Sequence, residues 1–174
     1  FREQPDDEKK KAEFDQLIRL GETVWTYVCC GPGGRMLNRF LDFHLIRGRL
    51  LFWGCARNRI SGFLHWGFNQ FPGGMDPFKG TSCPNDTGIG TAFPCGDSFL
   101  VVSGKRGTGD QYASGSAAER SRGCGTLGAA SEKDPQLHDR LLDQMFTNNY
   151  TYSRDPEKFD RVYTQLLESL EKYS

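Results

Sequence analysis

Three aromatic and three polar side chains lie in or between the segments whose composition predicts strands. The aromatic residues are Trp25, Tyr27 and Trp66, and the polar residues are Arg39, Asn69 and Asp97. A flat, apolar ring matches the C–H face of a pyranose, and polar planar groups beside it can hydrogen-bond sugar hydroxyls. This combination of residue types therefore indicates a carbohydrate-binding site, with these six residues as its candidates.

Simpler structural roles are open to the same residues. Aromatic side chains in strands commonly belong to the core. Arg39 could form only a helix-entry ion pair and cap with Asp42, and Asn69 and Asp97 could cap loops. His65 precedes Trp66 and would point to the opposite face of a strand, so at most one of the two should line the site. For His65 we expect a structural role.

The six cysteines predict neither a metal site nor a cofactor. They are Cys29, Cys30, Cys55, Cys83, Cys95 and Cys124. No C-x-x-C pair is present, and the adjacent pair could not ligate one zinc ion without straining the backbone. Buried or free thiols are the favoured interpretation. A disulfide between Cys83 and Cys95, in a Gly/Pro-rich loop, is the alternative.

The charge balance excludes two classes of partner. The chain has 22 basic and 22 acidic residues, and its formal net charge is zero. This balance gives no electrostatic footprint for nucleic acid or an anionic membrane. The longest apolar stretches contain only a handful of residues, far fewer than the roughly 20 that span a bilayer. We therefore expect neither nucleic acid nor membrane as a partner.

The hydrophobic pattern alternates between helix and strand. Helices are predicted over residues 6–20 and 42–58, because apolar residues recur there at helical spacing. Strands are predicted over residues 23–29, 62–67 and 98–102, which are rich in apolar, β-branched and aromatic side chains. Strands that alternate with helices are typical of parallel βα units, so the fold class is α/β.

The C-terminal part of the chain divides into an irregular segment and two helices. Residues 103–131 have many Gly, Ala, Ser and Arg residues and no periodicity, which indicates an irregular segment such as a flexible or disordered insert. Asp134-Pro135 and Asp155-Pro156 each place a capping residue before proline at the first helical position. A helix is therefore predicted after each pair.

Five short runs carry a resemblance to a known family. They are Trp25–Gly33, Asn38–Asp42, Gly62–Gln70, Asp76–Phe78 and Gly96–Asp97. In this order, over roughly residues 20 to 102, they resemble the bacterial barrels of glycoside hydrolase family 123 and its relatives, catalogued as domain of unknown function 4091. The resemblance implies a (β/α)8 barrel whose substrate is a carbohydrate.

At 174 residues the chain is shorter than the roughly 250 of a whole barrel, so the barrel must be partial. The resemblance implies that residues 1–174 are a C-terminal fragment of one barrel domain, with about the last three βα units and C-terminal helices. The family pattern has a Ser-x-Arg-x-Glu helix after the last strand, and residues 103–131 depart from it. A local shift of the reading frame, restored near Glu132, would explain this composition.

The resemblance also implies a mechanism in which the acetamido group of the substrate attacks the anomeric carbon. An adjacent Asp-Glu pair on an earlier strand orients that group and protonates the leaving oxygen. Here the only such pair is Asp7-Glu8, in a charged helix start. No catalytic acid is therefore assigned. The parent protein is expected to be a glycosidase, for instance for β-N-acetylgalactosaminides, and this fragment alone is expected to be inactive.

Two other functional classes stay open. A non-catalytic carbohydrate-binding or scaffold module would have the same fold, because fold does not determine function. An Asp-Glu pair at a strand end in the upstream gene sequence would favour the enzyme over this module. A cysteine-based metal or redox protein is the third class, and metal analysis would identify it.

Overall fold

The structure is a computed structural model, and it describes most of the chain. The described residues are 7–71, 75–76, 78–82, 92–99, 102–104, 107–109 and 125–173. Several sequence predictions concern residues outside these ranges, among them the Cys83 partner of the suggested disulfide, Cys124 and Pro77.

A βαβ unit forms the first half of the described chain. Helix α1 (Asp7–Arg19) precedes strand β1 (Trp25–Tyr27), helix α2 (Leu45–Arg57) and strand β2 (Gly62–Leu64). The two strands pair in parallel, with Trp25 opposite Gly62 and Tyr27 opposite Leu64. The predictions of these helices and strands are confirmed, although both strands are shorter than predicted. Parallel pairing with an intervening helix shows the α/β class.

Helix α2 separates the small sheet from the C-terminal helices. On the sheet side the Phe52 ring lies 5.4 Å from the Phe63 ring. On the other side α2 contributes to a buried apolar cluster with residues 125–173. Its buried members are Ile46, Leu50, Trp53, Leu127, Ala130, Leu141, Leu142, Met145, Phe146, Phe159, Val162 and Leu166. This cluster is the core, and it holds α2 in place behind the strands.

The C-terminal helices begin where the Asp-Pro pairs predict. Helix α4 is Pro135–Met145, and the Asp134 carboxylate accepts a hydrogen bond from the Leu137 N–H at 2.9 Å. Helix α5 is Pro156–Glu171, and Asp155 accepts one from the Glu157 N–H at 3.0 Å. Within the described ranges, no helix is long and apolar enough to cross a membrane.

The prediction of an irregular segment over residues 103–131 needs correction where the structure describes it. Residues 125–133 form helix α3, in which Leu127 and Ala130 are fully buried in the core. Its two buried residues are three positions apart and therefore lie on one face of the helix. This face is apolar, although the segment around it contains few large apolar residues. Residues 105–106 and 110–124 lie outside the described residues. The hypothesis of a shifted reading frame stays a prediction, which resequencing the parent DNA would test.

The prediction of a third parallel strand over residues 98–102 is wrong. Ser98 lies in a turn, and Phe99 forms a single antiparallel bridge with Asn69. Val102 begins strand β3 (Val102–Gly104), which pairs with strand β4 (Gly107–Gly109) in an antiparallel hairpin. The run was predicted as a strand from its apolar and β-branched composition, but its start at Ser98 belongs to a turn that contains Gly96, where φ is +79°. Residues 100 and 101 lie outside the described residues.

Replacing Leu127 tests whether α3 belongs to the core. Leu127→Ala should lower the free energy of unfolding by about 2–5 kcal/mol, because it leaves a cavity in a packed cluster. Urea denaturation measures the change. Leu45→Ala is the matched control, because Leu45 in α2 is 79% exposed and its loss should change stability by less than about 0.5 kcal/mol. Equal effects of the two substitutions would contradict the placement of α3.

Candidate functional site

The carboxylate of Asp97 is the centre of a buried polar network beside the ends of β1 and β2. Asp97 is fully buried. Its Oδ2 accepts a hydrogen bond from the Trp66 indole N–H at 3.1 Å, and its Oδ1 lies 3.4 Å from His65 Nε2. Both carboxylate oxygens thus have partners on the segment that follows β2. In this conformation a sugar hydroxyl cannot reach Asp97.

Arg39 binds the same segment mainly through backbone carbonyl groups. Its guanidinium donates to Gly96 O at 2.9 Å, Asp97 O at 2.7 Å and Phe99 O at 3.4 Å. Its Nη2 lies 3.9 Å from Asp97 Oδ1, and both side chains are almost entirely buried. The planar guanidinium presents several donors in one fork, which suits it to this task. The simpler role of Arg39, a helix-entry cap, does not account for these contacts.

Asn38 fixes the chain next to Arg39. Its Nδ2 donates to Cys29 O and Pro32 O, each at 2.9 Å, and its Oδ1 accepts the Arg39 N–H at 2.8 Å. Asn38 is fully buried. The loop after β1 is therefore tied to the residue whose guanidinium holds residues 96–99.

His65 joins the network, and the expected alternation of His65 and Trp66 is wrong. The ring contacts the Arg39 guanidinium through both nitrogens, and Nδ1 accepts the Gly67 N–H at 3.0 Å. His65 and Trp66 both face Asp97 because β2 ends at Leu64, so the two-residue period of a strand does not extend to them. The expected structural role of His65 fits its burial and its partners.

Three aromatic residues lie around this network with exposed faces. Trp66 is 38% exposed, Tyr27 is 49% exposed and Trp25 is 61% exposed. The Tyr27 ring is parallel to the His65 ring, with centroids 6.3 Å apart, and Trp66 lies 5.1 Å from the Phe93 ring. The Trp25 ring covers Gly62 on the paired strand, where any Cβ atom would overlap it. None of the three is a core residue in the described chain.

Asn69 is exposed and lies at the edge of this region. It forms the backbone bridge with Phe99, and next to it the Gln70 N–H donates to Ser98 O at 3.0 Å. A Cβ on Gly67 would lie 2.6 Å from Ser98 O, so only glycine permits this approach of the two segments. The structure thus brings Arg39, Trp66 and Asp97 into direct contact, with Tyr27 adjacent through His65, and it places Trp25 and Asn69 at the margins.

The end of β1 contributes two thiols and a phenol. Cys29 Sγ and Cys30 Sγ are 3.6 Å apart. Burial raises the pKa of the Cys30 thiol, and the hydrogen bond with Cys29 and the charge of Asp97 act in the same direction. Partial burial, and then Cys29, raise the pKa of the Tyr27 phenol. Tyr27 therefore keeps its proton at neutral pH and can both donate and accept hydrogen bonds.

Sequence reasoning did not include Asn38, Cys29 and Cys30 among the site residues. Asn38 directly precedes Arg39, and the two cysteines lie two and three residues after the end of β1. Closeness to a candidate residue or to a strand end was therefore the available signal. Cys95 carries a free thiol, and Cys83, its suggested disulfide partner, lies outside the described residues. Among the residues described, no group of three or more His, Cys, Asp or Glu side chains could hold a metal ion.

Comparisons with known proteins are consistent with this geometry. A family model described as "Glycoside hydrolase 123, catalytic domain" matches residues 4–113, which is more than half of the chain. The comparison with curated proteins found no match.

The solved structure of a family 123 glycoside hydrolase from Clostridium perfringens, from a study of glycolipid glycan hydrolysis, is similar in fold. Its TM-score is 0.55 and its sequence identity is 17%. The match covers 90% of this chain but only 27% of that protein, so the chain spans about a quarter of the length of this relative.

Removing the buried guanidinium should destabilise the chain strongly. Arg39→Leu should lower the free energy of unfolding by about 3–5 kcal/mol, because it leaves a buried carboxylate and several carbonyl groups without their partner. Urea denaturation measures this change. The control is Arg161→Ala, because Arg161 is an exposed residue of α5 with only solvated ion pairs, and it should change stability by less than about 1 kcal/mol. An equally small effect of Arg39→Leu would refute the network.

Proposed function

The chain belongs to the family of glycoside hydrolase 123 catalytic domains, and we propose that it is part of a (β/α)8 barrel that hydrolyses glycosidic bonds. In this proposal, residues 1–174 are the C-terminal portion of one barrel domain and supply the residues that bind the sugar. The observation that carries the proposal is the set of exposed aromatic faces around a buried Arg39–His65–Asp97 network. Tyr27, Trp66 and the network lie at the carboxyl ends of two parallel strands, where barrels bind their substrates.

The two faces of the small sheet support a barrel. One face packs on α2 through Phe63. The opposite face carries Trp25, Tyr27 and Leu64, all about half exposed or more. In a (β/α)8 barrel the helices cover the outer face of the sheet and the other face lines the interior. We therefore assign the exposed aromatic face to the barrel interior.

The six candidate residues take two kinds of role in this proposal. Tyr27 and Trp66, with Trp25 at the amino end of β1, offer ring faces for stacking on a pyranose. The exposed amide of Asn69 can hydrogen-bond sugar hydroxyls. Arg39 and Asp97 are positioning residues, because both are buried and Asp97 holds the indole of Trp66. The sugar would bind to the aromatic faces, and the buried ion pair would keep those faces in place.

We place the catalytic acids outside this chain. The only adjacent Asp-Glu pair, Asp7-Glu8, lies in the first turn of α1 rather than at a strand end. The chain also covers only 27% of the Clostridium perfringens glycosidase. These observations support a protein in which an upstream strand supplies the acid pair. A β-N-acetylgalactosaminide is the proposed substrate, in keeping with the resemblance to family 123.

Binding and turnover measured on the same chain test this proposal. Saturation-transfer NMR with N-acetylgalactosamine should detect binding, whereas a nitrophenyl β-N-acetylgalactosaminide should not be hydrolysed. Turnover by this chain would contradict the placement of the acids upstream. The absence of binding would contradict the assignment of the sugar site. Binding with no hydrolysis by a longer protein that includes the upstream strands would favour the carbohydrate-binding module instead.

Truncation of one aromatic face should weaken sugar binding by a predictable amount. Tyr27→Ala should raise the dissociation constant about two- to tenfold, because an aromatic contact contributes roughly 0.5–1.5 kcal/mol. Titration followed by NMR measures the constant. The matched control is Tyr173→Ala, because Tyr173 is also 49% exposed but lies after α5. If both substitutions changed the constant equally, Tyr27 would not be a sugar contact.

A further inference from the structure

Two neighbouring thiols at the end of β1 have no part in sugar binding as proposed above. Cys29 Sγ and Cys30 Sγ lie 3.6 Å apart, and both residues are partly buried. Consecutive side chains of a strand point to opposite faces. These two approach each other because β1 ends at Tyr27 and residues 29 and 30 form a bend.

The backbone that carries the two thiols is held on both sides. The Cys29 N–H donates to Gly31 O at 2.9 Å. The Cys29 carbonyl oxygen accepts a hydrogen bond from Asn38, which also binds Pro32 O and is fully buried. The backbone bend that places the two thiols next to each other is therefore held by hydrogen bonds on both sides.

We propose that Cys29 and Cys30 form a redox site, in which a small-molecule disulfide oxidises the two thiols to a disulfide between adjacent residues. The Cys29 sulfur attacks the small-molecule disulfide, a mixed disulfide forms and one thiol leaves. The Cys30 sulfur then attacks the Cys29 sulfur, and the second thiol leaves. The protein loses two electrons and two protons, and both pass to the small molecule, which ends as two thiols.

The geometry favours formation of the disulfide and also makes this disulfide easy to reduce again. The sulfur atoms must approach by about 1.5 Å to reach the disulfide bond length of about 2.05 Å. Adjacent Cα atoms are about 3.8 Å apart, which is shorter than the usual 4.4–6.8 Å across a disulfide. Strained disulfides are the readily reduced ones. The dithiol is therefore the form expected under reducing conditions, and the disulfide forms only when an oxidised partner is in excess.

The order of the two steps follows from the surroundings of the sulfur atoms. Burial, and then the contacts with Cys29 and Asp97, raise the pKa of the Cys30 thiol. The thiolate is the attacking form in both steps, so a raised pKa slows the attack of Cys30 on a free disulfide. We assign Cys30 as the resolving sulfur because its sulfur atom already lies 3.6 Å from Cys29 Sγ, and this proximity favours the second attack. Besides partial burial, Cys29 also contributes to the raised pKa of the Tyr27 phenol.

Mass spectrometry of the full chain tests the redox site independently of any sugar. The chain is incubated with excess oxidised glutathione, the remaining thiols are blocked, and the peptide that contains residues 29 and 30 is identified. We expect this peptide to have lost two hydrogens, to carry no glutathione, and to regain both hydrogens with dithiothreitol. A stable glutathione adduct on the peptide, a disulfide from either residue to another cysteine, or no reaction would each overturn the proposal.

Two variants separate the roles of the two sulfur atoms. In Cys30→Ser the reaction should stop at a mixed disulfide between glutathione and Cys29, because no resolving thiol is present. Cys95→Ser is the control, because Cys95 also carries a free thiol but lies in another segment, and it should oxidise at residues 29 and 30 like the unsubstituted chain. Loss of the reaction in Cys95→Ser, or an unmodified Cys29 in Cys30→Ser, would contradict the assignment.

Discussion

The buried guanidinium of Arg39 is the interaction on which the strand-end region depends. A charge in a protein interior is costly unless hydrogen bonds and an opposite charge compensate it. Here three backbone carbonyl groups, the His65 ring and the Asp97 carboxylate surround it. These partners come from two separate segments, one after β2 and one at residues 96–99. The chain can bury this cation only by bringing both segments to Arg39.

This requirement determines where the aromatic faces lie. Asp97, held next to Arg39, accepts the indole N–H of Trp66 and so fixes the orientation of that ring. His65, in contact with the same cation, lies parallel to the Tyr27 ring. Asn38 extends the network to the loop after β1. The exposed part of the region thus consists mainly of aromatic ring faces, which bind the sugar in our proposal, and the buried residues Arg39, His65 and Asp97 form the support beneath them.

Local signals were sufficient for most of the helices, for strands β1 and β2, and for part of the site. The Asp134-Pro135 and Asp155-Pro156 pairs give helix starts because a capping carboxylate and proline act within one turn. Trp66 and Asp97 were identifiable from residue type and from their positions in or beside predicted strands, and Arg39 was identifiable from residue type. The antiparallel bridge of Phe99 and the burial of Leu127 were not identifiable, because both depend on contacts between residues distant in the sequence. The convergence of His65 and Trp66 on Asp97 was missed for a local reason, since β2 ends one residue before the histidine.

A double-mutant cycle on Arg39 and Asp97 tests the central claim most directly. The free energy of unfolding is measured for the unsubstituted chain, for Arg39→Leu, for Asp97→Leu and for the chain with both changes. If one buried network contains both residues, the double variant should be less destabilised than the sum of the single variants, with a coupling energy above about 1 kcal/mol. Additivity within about 0.5 kcal/mol, the behaviour of independent sites, would contradict the account.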